Sequence, residues 1–350
     1  MSKSFKMGLQ IRELITIREL DFDDLKDKIL AFDTSNMLYQ FLSSIRSRDG
    51  SLLQDSHSNV TSHLQGILLR ITNLMKKGIK PCFVLDGEFP ELKKGEVEKR
   101  AAVKKEAEKK YRVAEKRGDL EQMRKYASMT SRLTEDMVEE AEKLLTALGS
   151  PVIRAPSEAE AQAAFMVKKK DAFATVSQDF DSLLHGSTQL IRNLSITGKR
   201  KKASRLNYIT LKPEIINLSE NLNNLGIDQD QLIALAMLIG TDYNTGGIRG
   251  IGPKNALKLV KQYRKDFDKL FEEVKWKEHF DFSWEEVYYL IKKMPVTTDY
   301  SLRWKDIDKD AVVELLCEKH DFSKERVEET ISKLDKDRET KHQKGLGDFL

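Results

Sequence analysis

Cysteine is almost missing: Cys82 and Cys317 are the only two among 350 residues, each inside an apolar run, KPCFVLD and VVELLCEKH. That excludes a disulfide framework and a thiolate metal cluster, and leaves both as small core residues. The six histidines form neither HxxxH nor HExxH, so the sequence offers no zinc site. No uncharged apolar run approaches the roughly 18 residues that span a bilayer, and the N-terminus MSKSFKMGLQ lacks the apolar segment of a signal peptide. The chain therefore reads as intracellular. GxxxxGK[ST] is absent too, and its nearest approximation, GIRGIGPK, follows a helical pattern rather than a strand, which disfavours an ATPase or kinase. Proline is scarce at seven, and 40% hydrophobic with 33% charged residues describes a globular chain richer than usual in charge.

Short apolar and β-branched runs occur at 28–33 (KILAFD), 80–86 (KPCFVLD), 151–155 (PVIRA), 172–177 (AFATVS) and 189–194 (QLIRNL). Helical patterns lie between them, such as TEDMVEEAEKLLTALG, closed by Gly149 as a C-cap. Strand alternating with helix predicts an α/β fold with a largely parallel sheet flanked by helices. Residues 91–132 break the alternation with fourteen Lys/Arg against eight Asp/Glu, a net +6 in a chain whose total is +4. This predicts a helical insertion over 88–133 that invites a polyanionic partner, the alternative being a solvated helix pair with ion pairs such as Glu108–Arg112. A helix–glycine loop–helix region is expected over 225–265, the second helix opening at Pro253. Periodicity fades after Leu334, so one domain is expected over 1–334 and a flexible tail over 335–350.

In an open parallel sheet, ligands bind beyond the carboxyl ends of the strands. Acids stand there: Asp33 after KILAF, Asp86 after PCFVL, Glu158 and Glu160 after PVIRA, and Asp179 and Asp181 after AFATVS, joined by Asp242 at the end of a helix. At one edge these carboxylates would repel by about 4 kcal/mol per pair 4 Å apart at an effective dielectric near 20. Cations resolve the conflict, and oxygen ligands without His or Cys select Mg²⁺ or Mn²⁺. Two such ions are an apparatus for phosphodiester cleavage. Each acid has a local alternative: Asp33 as an N-cap, Ser157 and Glu160 as a capping box, and Asp86, Asp179 and Asp181 as turn or loop residues.

The motifs MGLQIREL, ILAFDTSNMLYQFL, GIKPCFVLDGEFPELKKGEVEKR, APSEAEAQAAFM, SQDFDSLLHG and LIGTDYNTGGIRGIGPKNAL span nearly the whole chain in order. With them the sequence resembles the flap endonucleases, structure-specific 5′-nucleases of DNA replication and repair, and the archaeal members above all. The resemblance implies a PIN-like 5′-nuclease fold with a helical arch. It places Asp33, Asp86, Glu158 and Glu160 in a first metal group and Asp179, Asp181 and Asp242 in a second. Lys93 and Arg100 would contact the scissile phosphate, Tyr39 would stack on a base, and Arg46 would lie toward a 3′ flap. It implies hydrolysis at single-strand/double-strand junctions in Okazaki-fragment maturation and repair, with 5′–3′ exonuclease activity alongside. Here the family's MG start falls at Met7 and Gly8, behind MSKSFK.

The loop GGIRGIGPK resembles a helix-hairpin-helix, in which the N–H groups of Gly250 and Gly252, with Lys254 and Lys258, would hold a DNA phosphate. The family also places K⁺ there, at the positions of Gly247, Ile248 and Ile251. Gln343, Leu346, Phe349 and Leu350, in the spacing QxxLxxFL, look like a motif that docks on the sliding clamp. A monomer in the cytoplasm or nucleoid follows. The competing readings are a bubble-cutting or purely exonucleolytic relative, and a non-catalytic DNA-binding clamp accessory.

Overall fold

The computed structural model describes residues 9–127, 129–196, 198–201 and 208–347. The strands are Arg18–Glu19 (β1), Ile29–Asp33 (β2), Lys80–Leu85 (β3), Val152–Arg154 (β4), Ala174–Val176 (β5), Gln189–Arg192 (β6), Gly198–Lys201 (β7), Tyr208–Leu211 (β8) and Glu214–Asn217 (β9). All five apolar runs became strands. Seven strands form one sheet in the order β1-β9-β6-β5-β2-β3-β4, and β7 pairs with β8 apart from it. From β4 to β6 neighbours are parallel; β9 joins β6 antiparallel, and β1 joins β9 antiparallel. Chain order proceeds from β2 through β3 to β4, then returns to β5 on the other side of β2. The topological switch point, and with it the crevice such a sheet offers a ligand, lies between β2 and β5.

The strands are continuously apolar because both faces are covered. Leu30 and Phe32 of β2 pack with Phe83 against Met37, Leu38 and Phe41 of the helix Thr34–Ser44. Ala31, Cys82 and Val84 face Ala159, Ala163, Met166 and Val167 of the helix Ala159–Lys168 on the other side. Cys82 is buried as expected, and burial pushes its thiol up to about 12. Cys317 is only half-buried, lying at the margin of its core rather than inside it.

The 88–133 insertion is helical, with Lys94–Lys116 and Leu120–Ala127 as its main helices, and the Glu108–Arg112 pair forms at 3.0 Å. Gly149 carries a φ of 76° just past the helix Glu135–Ala147, as a C-terminal glycine should. The helix Lys324–Gly347 runs into the stretch expected as a tail from 335. Val327, Ile331 and Leu334 anchor the first turns of this helix in the core. DKDRETKHQK has no glycine or proline, and the turns already formed let it propagate.

Polar chemistry fastens the helix Glu135–Ala147 to the helix Ser62–Gly66 and to two loops. Glu140 Oε2 lies 3.1 Å from His63 Nε2, and its Oε1 lies 3.1 Å from His320 Nε2; His320 Nδ1 lies 2.9 Å from Asp55 Oδ2. Burial would raise both carboxyls, but hydrogen bonds from the histidines, Asn59 and backbone amides outweigh it and hold them below their ordinary values of 3.8 for Asp55 and 4.5 for Glu140. Depressed carboxylates contribute stability that is full above the unfolded values and lost as pH falls through the folded ones. The thermal midpoint should therefore drop as pH is lowered below about 4.5 toward 3. Circular-dichroism melts between pH 7 and 3 should show a shallower drop for Glu140→Gln, which cannot titrate; the same slope in both proteins would remove this network from the account.

Candidate active site

Asp33 closes β2 and starts the next helix. Its Oδ1 accepts from the Asn36 amide at 3.0 Å, so the N-cap role is real, while Oδ2 accepts from Ser177 Oγ at 3.1 Å. Asn36 extends the link across the switch point: its Nδ2 donates to Asp179 Oδ2 at 2.7 Å, and its Oδ1 accepts from the Gln178 amide at 3.1 Å. Helix start and β5 loop are thereby held in one register.

Asp86 caps a helix that is not its own. Its Oδ1 accepts from the Ala159 amide at 2.8 Å. The alternative for Ser157 and Glu160, a capping box, does not form: Ser157 Oγ donates instead to the Glu88 carbonyl at 2.9 Å. The Gly87 amide donates to the Ser157 carbonyl at 2.6 Å, and a Cβ at Gly87 would stand 2.1 Å from the Ala155 carbonyl oxygen. Only glycine lets these two loops approach so closely. Because Asp86 takes over the capping, Glu160 is left for the site, and its buried Oε2 has no hydrogen-bond partner.

Asp33, Asp86, Glu160, Asp179, Asp181 and Asp242 line one open cavity of about 1890 Å³ together with Tyr39, Lys93 and Arg100. That exceeds the roughly 300–1,000 Å³ typical of small-ligand pockets, as a macromolecular substrate requires. Burial, and after it the neighbouring carboxylates, lift the Asp33 carboxyl to about 7 and push Glu160 and Asp181 well above their ordinary range. Burial raises Asp86 and Asp179 likewise. Such a cluster holds protons unless cations replace them.

Two cations enter from the foot of the insertion. Lys93 Nζ lies 2.5 Å from Glu158 Oε1 and 3.3 Å from Asp242 Oδ2. Burial alone would lower its pKa; Glu158, Glu160 and Asp242 outweigh that and raise it. Arg100 donates to both Asp242 oxygens at 2.9 Å, and through Nε to Glu96 at 2.9 Å. Glu96 accepts in turn from Thr245 Oγ1 at 2.9 Å, tying the insertion to the glycine loop. Glu158 is turned away from the cavity lining, since its second oxygen accepts from the buried Tyr243 hydroxyl.

Asn36, Ser177, Glu96 and Tyr243 were not singled out in the sequence. Their signal was adjacency: Asn36 in DTSN, Ser177 in SQDFD, Tyr243 beside Asp242. Tyr39 sits in the cavity with the Lys104 ammonium 5.0 Å from its ring. Arg46 is turned elsewhere, donating to the Gly50 carbonyl at 2.8 Å and to Ser131 Oγ at 2.6 Å. Gly250, Gly252, Lys254 and Lys258 form an exposed patch away from the cavity, with open space over both glycines. Gly247 and Ile248 turn the same loop, where the Ile248 carbonyl accepts from the Ile251 amide at 3.0 Å. Gln343 and Leu346 lie on the last helix; Met7, Gly8, Phe349 and Leu350 fall outside the described residues.

Comparison with known proteins gives the family. The XPG N-terminal domain matches residues 4–107 and the XPG I-region residues 149–242. Flap endonuclease 1 of Hyperthermus butylicus is 50% identical over 333 residues, covering 94% of this chain and 95% of the relative. That of Thermofilum pendens is 51% identical over 332 residues, with 94% and 95% covered. The solved flap endonuclease-1 from Methanococcus jannaschii superposes with a TM-score of 0.75 at 39% identity, covering 95% of this chain and all of that one. The catalytic core of Rad2, solved with a DNA substrate, shares the fold at a TM-score of 0.63 and 24% identity, with 91% and 96% covered.

Proposed function

The chain belongs to the flap endonuclease family and is a structure-specific nuclease acting on 5′ flaps of DNA, and from that premise we propose how its residues divide the work. The observation that carries the proposal is the convergence of six carboxylates and two arch cations on one cavity at the switch point of the sheet. The family is metal-dependent, and the donor set fits hard divalent ions: it is all oxygen, and Glu160 Oε2 has no protein partner. Asp33, Asp86 and Glu160 would hold one Mg²⁺, and Asp179, Asp181 and Asp242 the other, with Mn²⁺ able to replace them. When bound, the pair supplies Lewis acidity toward the phosphodiester.

Glu158, occupied by Lys93 and Tyr243, positions Lys93 rather than meeting an ion directly. Lys93 and Arg100 donate to the scissile phosphate and neutralise charge as it develops there. Tyr39 stacks on a base. The loop at Gly250 and Gly252, with Lys254 and Lys258, holds a duplex phosphate without reading sequence, and the carbonyls of Gly247, Ile248 and Ile251 would hold K⁺ beside it. Arg46 braces the loop after the first helix, on the side we assign to a 3′ flap.

Mg²⁺ should raise the thermal midpoint of the wild-type chain by relieving the carboxylate repulsion, and should do so much less for Asp181→Asn. A midpoint indifferent to Mg²⁺ would overturn the metal assignment. Gln343, Leu346, Phe349 and Leu350 are proposed to dock on a sliding clamp. Deleting Gln343–Leu350 should leave intrinsic cleavage unchanged and eliminate clamp stimulation, and Phe349→Ala with Leu350→Ala should reproduce the deletion. Rates with and without clamp at matched salt decide it: equal stimulation of the full-length and truncated chains removes the motif.

A further inference from the structure

Phe89 is 56% exposed, the one phenylalanine in that state among the described residues. An apolar ring in water is unfavourable by about 25 cal/mol per Å² left uncovered, so its position calls for a cause. A mobile loop is not the cause. The Gly87 amide is bonded to the Ser157 carbonyl at 2.6 Å, the Glu88 amide to the Pro156 carbonyl at 3.2 Å, and the Glu88 carbonyl accepts from Ser157 Oγ at 2.9 Å. Pro90 further restricts Phe89 to an extended backbone. None of these bonds uses the Phe89 side chain, so the fold does not require a ring there.

The ring faces the cavity that holds the acids, with the Lys93 ammonium 5.2 Å from its centroid. From Lys93 onward, the residues lining that cavity include Val97, Arg100 and Lys104, at steps of four, three and four that keep to one helical face. One apolar residue, Val97, thus stands between the cations Lys93 and Arg100, and it is itself 51% exposed. A π-face and an aliphatic surface between cations match the two halves of a nucleotide: base against Phe89 and Val97, phosphates toward Lys93 and Arg100. Paired bases are already stacked inside a duplex, so only an unpaired base can present its face to the ring.

We propose that Phe89 is a stacking site for an unpaired nucleobase of the flap strand, next to the scissile phosphate. The proposal rests on the flap-nuclease reading and adds a positioning residue to it. Stacking is tolerant of sequence, so all four bases should be accepted.

The test compares wild type, Phe89→Ala, Phe89→Leu and Phe89→Trp under single-turnover conditions, on flaps carrying either a normal nucleotide or an abasic site at the junction. Phe89→Ala should lose on the order of tenfold in efficiency on the normal flap, with Phe89→Leu between it and wild type and Phe89→Trp near wild type. On the abasic flap, wild type and Phe89→Ala should be equal, because the partner of the ring is gone. 2-Aminopurine at the same position should be quenched by wild type and Phe89→Trp but not by Phe89→Ala. Equal rates for wild type and Phe89→Ala on the normal flap, or an equally large loss on the abasic flap, would overturn the proposal. A wild-type chain that cut no flap would overturn the flap-nuclease reading instead, which keeps the two failures apart.

Discussion

Asp179→Ala is expected to abolish cleavage of a 5′-flap duplex while changing its affinity for that duplex by no more than a few-fold. Asp179 stands at the switch point, where its Oδ2 accepts from Asn36 Nδ2, and it faces the cavity without touching any surface assigned to the duplex. Its carboxyl is raised by burial first and then by Asp242. Removing one carboxylate from this cluster relieves repulsion, so the fold should not suffer, whereas a cation site loses a hard oxygen that no neighbour can supply. Quenched-flow rates paired with fluorescence anisotropy separate the two quantities. Cleavage by Asp179→Ala within a few-fold of wild type would end the two-ion assignment.

The second large effect is expected at the foot of the arch. Lys93→Ala and Arg100→Ala should each lower the rate of the bound complex by about 10²-fold or more, since each removes a donor preorganised toward developing phosphate charge. The two should differ in stability. Lys93 is buried against Glu158, which is only 2% exposed, so its loss leaves an uncompensated buried carboxylate and a lower thermal midpoint. Arg100 is more exposed, its side chain 28% accessible, and its loss should be milder. Unchanged bound-state rates with weakened binding would reduce both to ordinary backbone contacts.

The acids were legible because a sheet covered on both faces turns its strands into unbroken apolar runs, and an acid ending such a run is conspicuous. Asp33, Asp86, Asp179 and Asp181 were found in this way. Glu160 was harder, because S-E-A-E satisfies a capping pattern locally; Asp86, distant in sequence, takes that capping role. Such displacement by a long-range partner leaves no mark in a local window. Tyr243 carries no local signal, and its hydroxyl contact with Glu158 is a fact of tertiary structure alone. The sheet edge was missed because β1 has two residues, both charged, and β9 only four. The basic strand β7, GKRK, carries no apolar alternation to betray it. Phe89, within DGEFPELKK, carries no local signal, since exposure is not written in a sequence.

The most direct test of the central claim is single-turnover cleavage of a 5′-flap duplex with Mg²⁺, against blunt duplex, 5′-overhang and bubble controls, with and without a chelator. The account predicts rapid Mg²⁺-dependent cutting near the junction of single and double strand, with every control slower and the chelated reaction silent. Undiminished cleavage in chelator, or equal rates on the flap and the blunt duplex, would contradict it.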